Sequence, residues 1–407
     1  MFARGARSGA RPRPGPRSHG NGRLGVLLSV AALVVVWLIS THHGPFSGDV
    51  VNDLYVYSVD HQLLADGQVP YRDFDFEYPP LALLPIGLIG GSAVGLSLAM
   101  LGCAIVAQLA AWSLGGAAAG WAMVALPPVA GALVRTHIDL LPAALTLVGL
   151  ALVVRRRPAS GLALLGLGTM AKLYPAAIAL VALAWLVGRG DRRAALQGAV
   201  AFAVVVLALG VPFAALGGFP STMVRFHLDR PVQIESSAAT VLEVLGGSAV
   251  TGDPIRPDRF KSNGLDGGAA GLVLALTTLL SVVAVAGLVA LAARRPRTDA
   301  LLLASFGVTL ALVSLSKVLS PQYVCWLLPP AAVALAIPGG RLPAALTAAA
   351  ALVTQLWFPS HYFDVVFQHA WAVTAVGVRN LLLLAALVAT ARALARSPRR
   401  AAAAPPP

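Results

Sequence analysis

Residues 137–158 read HIDLLPAALTLVGLALVVRRRP, and this stretch decides how the chain folds. A polar head precedes an uncharged run from Leu140 to Val154, which ends on Arg155, Arg156 and Arg157. An apolar run closed by clustered arginine is the pattern of a membrane span that emerges on the cytoplasmic side, where Lys and Arg accumulate. The same pattern recurs along the chain. A span needs about 20 residues to cross about 30 Å of hydrocarbon, and ten runs qualify, near 24–41, 94–114, 118–134, 137–154, 195–216, 270–293, 299–317, 321–338, 342–358 and 376–393.

Composition agrees. Of 407 residues, 57% are hydrophobic and 12% charged, with a mean hydropathy of +0.78, too few charges to clothe a water-soluble fold of this size. The net charge of +13 comes from arginines between apolar runs, as in loops that face anionic lipid, and no nucleic-acid motif accompanies it. Nucleic acid is therefore excluded as a partner, and membrane lipid is expected. Cys103 and Cys325 sit in apolar runs and read as packing residues, and no Cys/His spacing suits a metal. No P-loop, dinucleotide fingerprint or HExxH motif is present. Neither a metal nor a cofactor is expected.

Two segments are too short to span, and the arginine clusters decide their treatment. If 81–91 crossed, the arginine triplet would fall outside, so this segment is expected to lie along the surface. Segment 159–188 has the triplet before it and Arg189, Arg192 and Arg193 after it. It is expected to be two short helices broken at Lys172-Leu173-Tyr174-Pro175, since proline disfavours helix in the residue before it. The sequence thus predicts an all-α polytopic bundle of about ten full spans, with a pair of short helices and a juxtamembrane helix. Residues 1–23 form a basic cytoplasmic arm, 24–393 one transmembrane domain, and 394–407 a cytoplasmic tail.

This threading gathers polar residues on the outer face. Loop 42–79 carries Asp49, Asp53, Asp60, Asp66, Asp73, Asp75 and Glu77 against one base, Arg72, interleaved with Tyr55, Tyr57, Tyr71, Phe74, Phe76 and Tyr78. A carboxylate held beside aromatic rings is partly desolvated, which suits general-base work. Loop 217–268 contains FHLDRPVQIESS, with His227, Arg230, Gln233 and Glu235 close together. Arginine with histidine is a natural grip for phosphate, although pairing of Arg230 to Glu235 would also account for them. Lys172 at membrane depth needs a partner. Lys317 before SPQY and Arg379 at the head of the last span suit either a lipid phosphate or an interfacial anchor. In RTHID, His137 and Asp139 form a polar turn that could assist the loop acids.

The set DLYVY, GQVPYRDFDFEYPPLAL, GLALLGLGTMAKLYP, FHLDRPVQIES, KVLSPQYVCWLLP and VRNLLLL resembles glycosyltransferase family 87, over about residues 50 to 392. The resemblance implies a fold of GT-C type, an acidic catalytic base in the first outer loop, and a polyprenyl-phosphate-linked sugar as donor, as in the family's actinobacterial polyprenyl-phosphomannose-dependent α-mannosyltransferases. The base falls on Asp53, with Asp49 as the alternative. Lys172, His227, Arg230, Lys317 and Arg379 are then expected to bind the donor phosphate. Glu77, Tyr78, His137, Glu235, Gln322 and Tyr323 are expected to position substrate. The implied activity is a membrane hexosyltransferase moving a sugar, mannose in the resembling enzymes, to a glycolipid or polysaccharide of the envelope. A lipid-linked sugar transporter or flippase is the competing reading, but transporters place charge at the midplane between repeats, and no repeat is evident here.

Overall fold

A computed structural model describes residues 19–42, 52–251 and 260–396. Among them five helices are long and apolar enough to cross a membrane: Gly22–Ser40, Ala93–Ala130, Arg192–Leu216, Ala270–Arg294 and Ala370–Arg396. Ala93–Ala130 is two legs. At Gly116 the backbone turns to φ 68°, and the Gln108 amide donates to the Gly120 carbonyl at 3.1 Å. In a straight helix those residues would stand about 18 Å apart along the axis, so the chain doubles back, as the separate runs 94–114 and 118–134 require.

Four other expected spans are shorter helices of 15, 17, 11 and 17 residues: Leu140–Val154, Thr298–Ser314, Val324–Ala334 and Arg341–Trp357. Each has at least one end buried in the protein, at Leu140, Ser314, Val324 and Trp357, where non-helical backbone at membrane depth is tolerated. Thr298–Ser314 is buried on nearly every face and forms the bundle centre, whereas Arg192–Leu216 and Ala270–Arg294 bury few residues. Those two, apolar all round and poorly covered by protein, suit contact with lipid.

The pair Pro158–Ala171 and Pro175–Gly188 replaces a single span. Each opens on proline, whose missing N–H costs nothing in a first turn. The break lies earlier than the proline rule suggests. Tyr174, directly before Pro175, keeps helical angles, and Lys172 is the extended residue, φ −151° and ψ 145°. Residues 81–91 hold only a short 3₁₀ turn and the helix Leu83–Ile89.

Neither polar loop is plain coil. The first contains the helix Leu54–Ala65, and the second contains Ser221–Asp229, Ser237–Leu245 and a small antiparallel sheet. In that sheet Gly264–Gly267 is central, flanked by Val232–Gln233 and Ser248–Thr251. The loop aromatics are mostly structural. Tyr71 meets Phe76, Phe213 and Phe219 with ring centroids 5.1 to 5.8 Å apart, and its hydroxyl donates to the Tyr78 carbonyl at 2.7 Å. Cys325 is buried, while Cys103 is half-buried.

Candidate active site

Leu140–Val154 joins Asp139 at one end to Arg155 at the other, about 24 Å apart at 1.5 Å per residue. Pro175–Gly188 likewise separates Lys172 from Arg189, and Thr298–Ser314 separates Arg297 from Lys317. Opposite the arginine-bearing ends lies a cavity of about 570 Å³, within the size range of small-molecule sites. Its walls bring together Asp53, Glu77, Tyr78, His137, Lys172, His227, Arg230, Glu235, Lys317, Gln322 and Tyr323, residues spread over 270 positions of sequence.

Asp53 stands at the start of Leu54–Ala65 but caps no backbone donor, so its carboxylate is available to the cavity. Its side chain is 25% exposed. The hydroxyls of Tyr57 and Tyr78 donate to Oδ2 at 3.3 and 3.5 Å, and His137 Nε2 lies 3.6 Å from Oδ1. The carboxylate is thus oriented from three sides and open on the fourth.

Lys172 occupies the break between the two short helices. Its Nζ lies 2.9 Å from Asp139 Oδ1, which also accepts from the Trp326 indole at 2.6 Å. The ammonium sits 4.8 Å from the Tyr78 ring centre, 5.7 Å from that of Tyr323 and 5.4 Å from that of Trp326, close enough for cation–π attraction. Tyr174 and Tyr323 stack on Trp326 with centroids 4.4 and 3.9 Å away. The membrane-depth cation therefore has its partner, in an aromatic box. Trp326 is not among the expected site residues, and Asp139, expected to assist the loop acids, instead pairs with Lys172, because nothing local ties residue 139 to residue 172.

The third wall is basic. Arg230 directs Nη1 towards Glu77 Oε2 at 3.7 Å and donates twice to Ser262 Oγ, at 3.2 and 2.7 Å. Glu235, the alternative partner from sequence, is not its ion-pair partner. Lys317 donates to the carbonyls of Leu228 and Arg230 at 2.8 and 2.7 Å, fixing the turn that carries Arg230. Three ammonium protons less two carbonyls leave one for a ligand. His227 Nε2 lies 3.0 Å from the Glu77 carbonyl, and burial lowers its pKa. It enters as a neutral donor rather than the cation a phosphate grip suggests.

Arg379 is a correction. It is 0% exposed and does not line the cavity. Its Nη2 donates to the Glu235 carbonyl at 2.8 Å, joined there by the Asn380 amide at 3.2 Å, and its guanidinium lies 5.4 Å from the Trp357 ring centre. It braces the Glu235 backbone from behind. Asp49 lies outside the described residues. No group of three His, Cys, Asp or Glu able to hold a metal ion occurs among the described residues.

The mouth of the cavity is greasy. Leu173, Val224 and Leu228 line it and are also among the exposed large apolar side chains, Leu228 at 72%. An anionic headgroup with an apolar tail matches cations inside and leucines at the rim.

The family model described as glycosyltransferase family 87 matches residues 78–247. The chain is similar to glycosyltransferase family 87. The matched segment holds Tyr78, His137, Asp139, Lys172, His227, Arg230 and Glu235, while Asp53 and Lys317 stand outside it. No curated protein gives a significant match. Among solved structures, ArnT from Cupriavidus metallidurans bound to undecaprenyl phosphate aligns at 17% identity with a TM-score of 0.47, covering 90% of this chain and 76% of that one.

Proposed function

We propose that this protein is a membrane glycosyltransferase. It moves a sugar, mannose on the family resemblance, from a polyprenyl-phosphate-linked donor to a glycolipid or polysaccharide acceptor of the envelope. The cavity lies on the outer face in this reading, with both termini cytoplasmic. The observation that carries it is the arrangement of one cavity: the Asp53 carboxylate on one wall, Lys172, Arg230 and Lys317 on the others, and an apolar mouth at Leu173, Val224 and Leu228.

In this mechanism Asp53 removes the proton of the acceptor hydroxyl as that oxygen attacks the anomeric carbon, an assistance worth about 10² to 10⁴ in rate. The bond to the phosphate oxygen breaks in the same displacement, so configuration at the anomeric carbon inverts. Negative charge develops on the departing polyprenyl phosphate, and fixed cations in a site shielded from bulk water stabilise it. Arg230 and the spare ammonium proton of Lys317 are placed to meet the phosphate oxygens. Lys172, closed in by Asp139 and three rings, supplies field rather than a direct contact.

The test is transfer of labelled sugar from polyprenyl-phosphomannose in membranes carrying Asp53→Asn. Loss of transfer by about 10² to 10⁴ at unchanged expression is expected. Full activity would move the base to Asp49, and no transfer by wild type would remove the enzyme reading.

A further inference from the structure

The loop between Arg192–Leu216 and Ala270–Arg294 is polar where it meets the cavity, but its second helix is not. Ser237–Leu245 reads SAATVLEVL. Ala238, Ala239 and Leu242 are buried on one face, while Val241, Val244 and Leu245 on the opposite face are 44%, 83% and 61% exposed. A helix that meets water turns polar side chains outward, whereas one apolar on both faces is covered by protein or by lipid. Its single charge, Glu243, is half-buried, and Oε1 accepts from the Gln368 amide at 3.5 Å, in the turn before the last span.

That span fixes the depth of the helix. The Asn380 amide donates to Thr240 Oγ1 at 2.9 Å, and a Cβ on Gly377 would meet Thr240 Cγ2 at 3.5 Å. Asn380 precedes Arg392 by 12 positions and Arg396 by 16, about 18 and 24 Å along the axis at 1.5 Å per residue. Both lengths fall short of the hydrocarbon thickness of about 30 Å, and any tilt of the span shortens them further. Thr240 therefore lies below the far boundary of the membrane, and Val241, Val244 and Leu245 follow within a turn and a half. Ser237–Leu245 packs against both Ala270–Arg294 and Ala370–Arg396, yet neither span covers these three side chains. Leu276 on the first span and Val378 and Leu381 on the second are exposed as well, so the three continue the surface that the spans offer to lipid. Phe367 and Trp371 are exposed at the outer end of the last span, where aromatic rings favour the interface.

We propose that Ser237–Leu245 is inserted into the membrane leaflet opposite the arginine-bearing ends, with Val241, Val244 and Leu245 among its acyl chains and Glu243 at headgroup level. A protein partner would have to reach below the headgroups beside two spans, at a level that acyl chains already fill. Glu235 lines the cavity and precedes this helix by two residues, so the insertion sets the level of that wall against the bilayer. The second polar loop is thus partly a membrane anchor. The proposal rests on the membrane placement of the chain and not on sugar transfer.

The test uses the full chain in phosphatidylcholine–phosphatidylglycerol nanodiscs, with Cys103 and Cys325 replaced by alanine. Val241→Cys and Val244→Cys each carry a nitroxide. Power-saturation EPR compares relaxation by oxygen, which concentrates among acyl chains, with relaxation by a neutral nickel chelate, which stays in water. Leu381→Cys on the last span and Tyr55→Cys, exposed in the first loop, set the two limits. An oxygen-to-nickel ratio at least threefold that of Tyr55→Cys, and close to that of Leu381→Cys, is expected at both sites. A ratio at both sites equal to that of Tyr55→Cys overturns the insertion and leaves the helix in water. Protection from both reagents also overturns it, because the face is then closed by a second copy of the chain. Melting temperatures matching the cysteine-free background confirm the fold, and Leu245→Cys replaces either site whose melting temperature falls. Inserted labels in a protein that moves no sugar sink the transferase reading alone, and aqueous labels in an active protein sink the insertion alone.

Discussion

Lys172 and Asp139, 33 residues apart, form an ion pair of 2.9 Å in which the ammonium is 8% exposed and the carboxylate not at all. Removing one partner leaves the other charge buried alone, which costs about 3–5 kcal/mol. Asp139→Asn and Lys172→Met should each lower the detergent melting temperature. The double variant should recover much of that loss while staying less active than wild type, since the field of Lys172 on the leaving phosphate is gone and only Arg230 and Lys317 remain. A double variant as unstable as the sum of the singles would count against the pair.

Acid should stabilise the protein. Burial raises Glu235 from 4.5 to about 7 and Asp60 from 3.8 to about 6, the latter despite the attraction of Lys261. Between about pH 4 and 7 the folded chain keeps protons that the unfolded chain has released, so stability falls as pH rises through that window. His227, with its lowered pKa, works the other way at the acid end. The difference between wild type and Glu235→Gln isolates the carboxyl. Thermal melts from pH 4.5 to 7.5 should slope downward in wild type and be flatter in the variant, and parallel slopes would refute the assignment.

Gly218 holds φ +89°, and a Cβ there would strike the Tyr71 carbonyl. The turn before Ser221–Asp229 therefore accepts no side chain without moving off the Tyr71 cluster. Gly218→Ala is expected to displace the helix that carries His227, lowering activity more than tenfold along with the melting temperature. Gly268→Ala, with open space around it, serves as the control and should change neither.

Sidedness is checked by labelling. In a background with Cys103 and Cys325 replaced by alanine, a cysteine at exposed Tyr55 should react with an impermeant maleimide in intact cells. One at exposed Ser160 should react only after lysis. The reverse pattern would place the cavity in the cytoplasm and remove a lipid carrier's advantage.

Several features were legible because their causes are local. Apolar runs between arginines give the spans, and two arginine clusters 30-odd residues apart with a proline between them give the short-helix pair. The sheet was not legible, since its strands are two to four residues long and carry no readable alternation. The contact of Arg379 was not legible, because an arginine at the head of a span looks the same in sequence whether it meets a lipid or a carbonyl from a loop 144 residues away.

By itself, then, the sequence determined that this chain lives in a membrane, where its polar segments fall, and that Asp53, Lys172 and Arg230 were worth attention. Hydrophobic patterning and loop charge act along the chain, so they can be read along it. Only the tertiary structure decided what those residues face: Asp139 under Lys172, Ser262 and Glu77 on Arg230, and Arg379 turned away behind Glu235. Each of these is a contact between distant segments whose geometry is set by the packing of the bundle, and no spacing in the sequence encodes it.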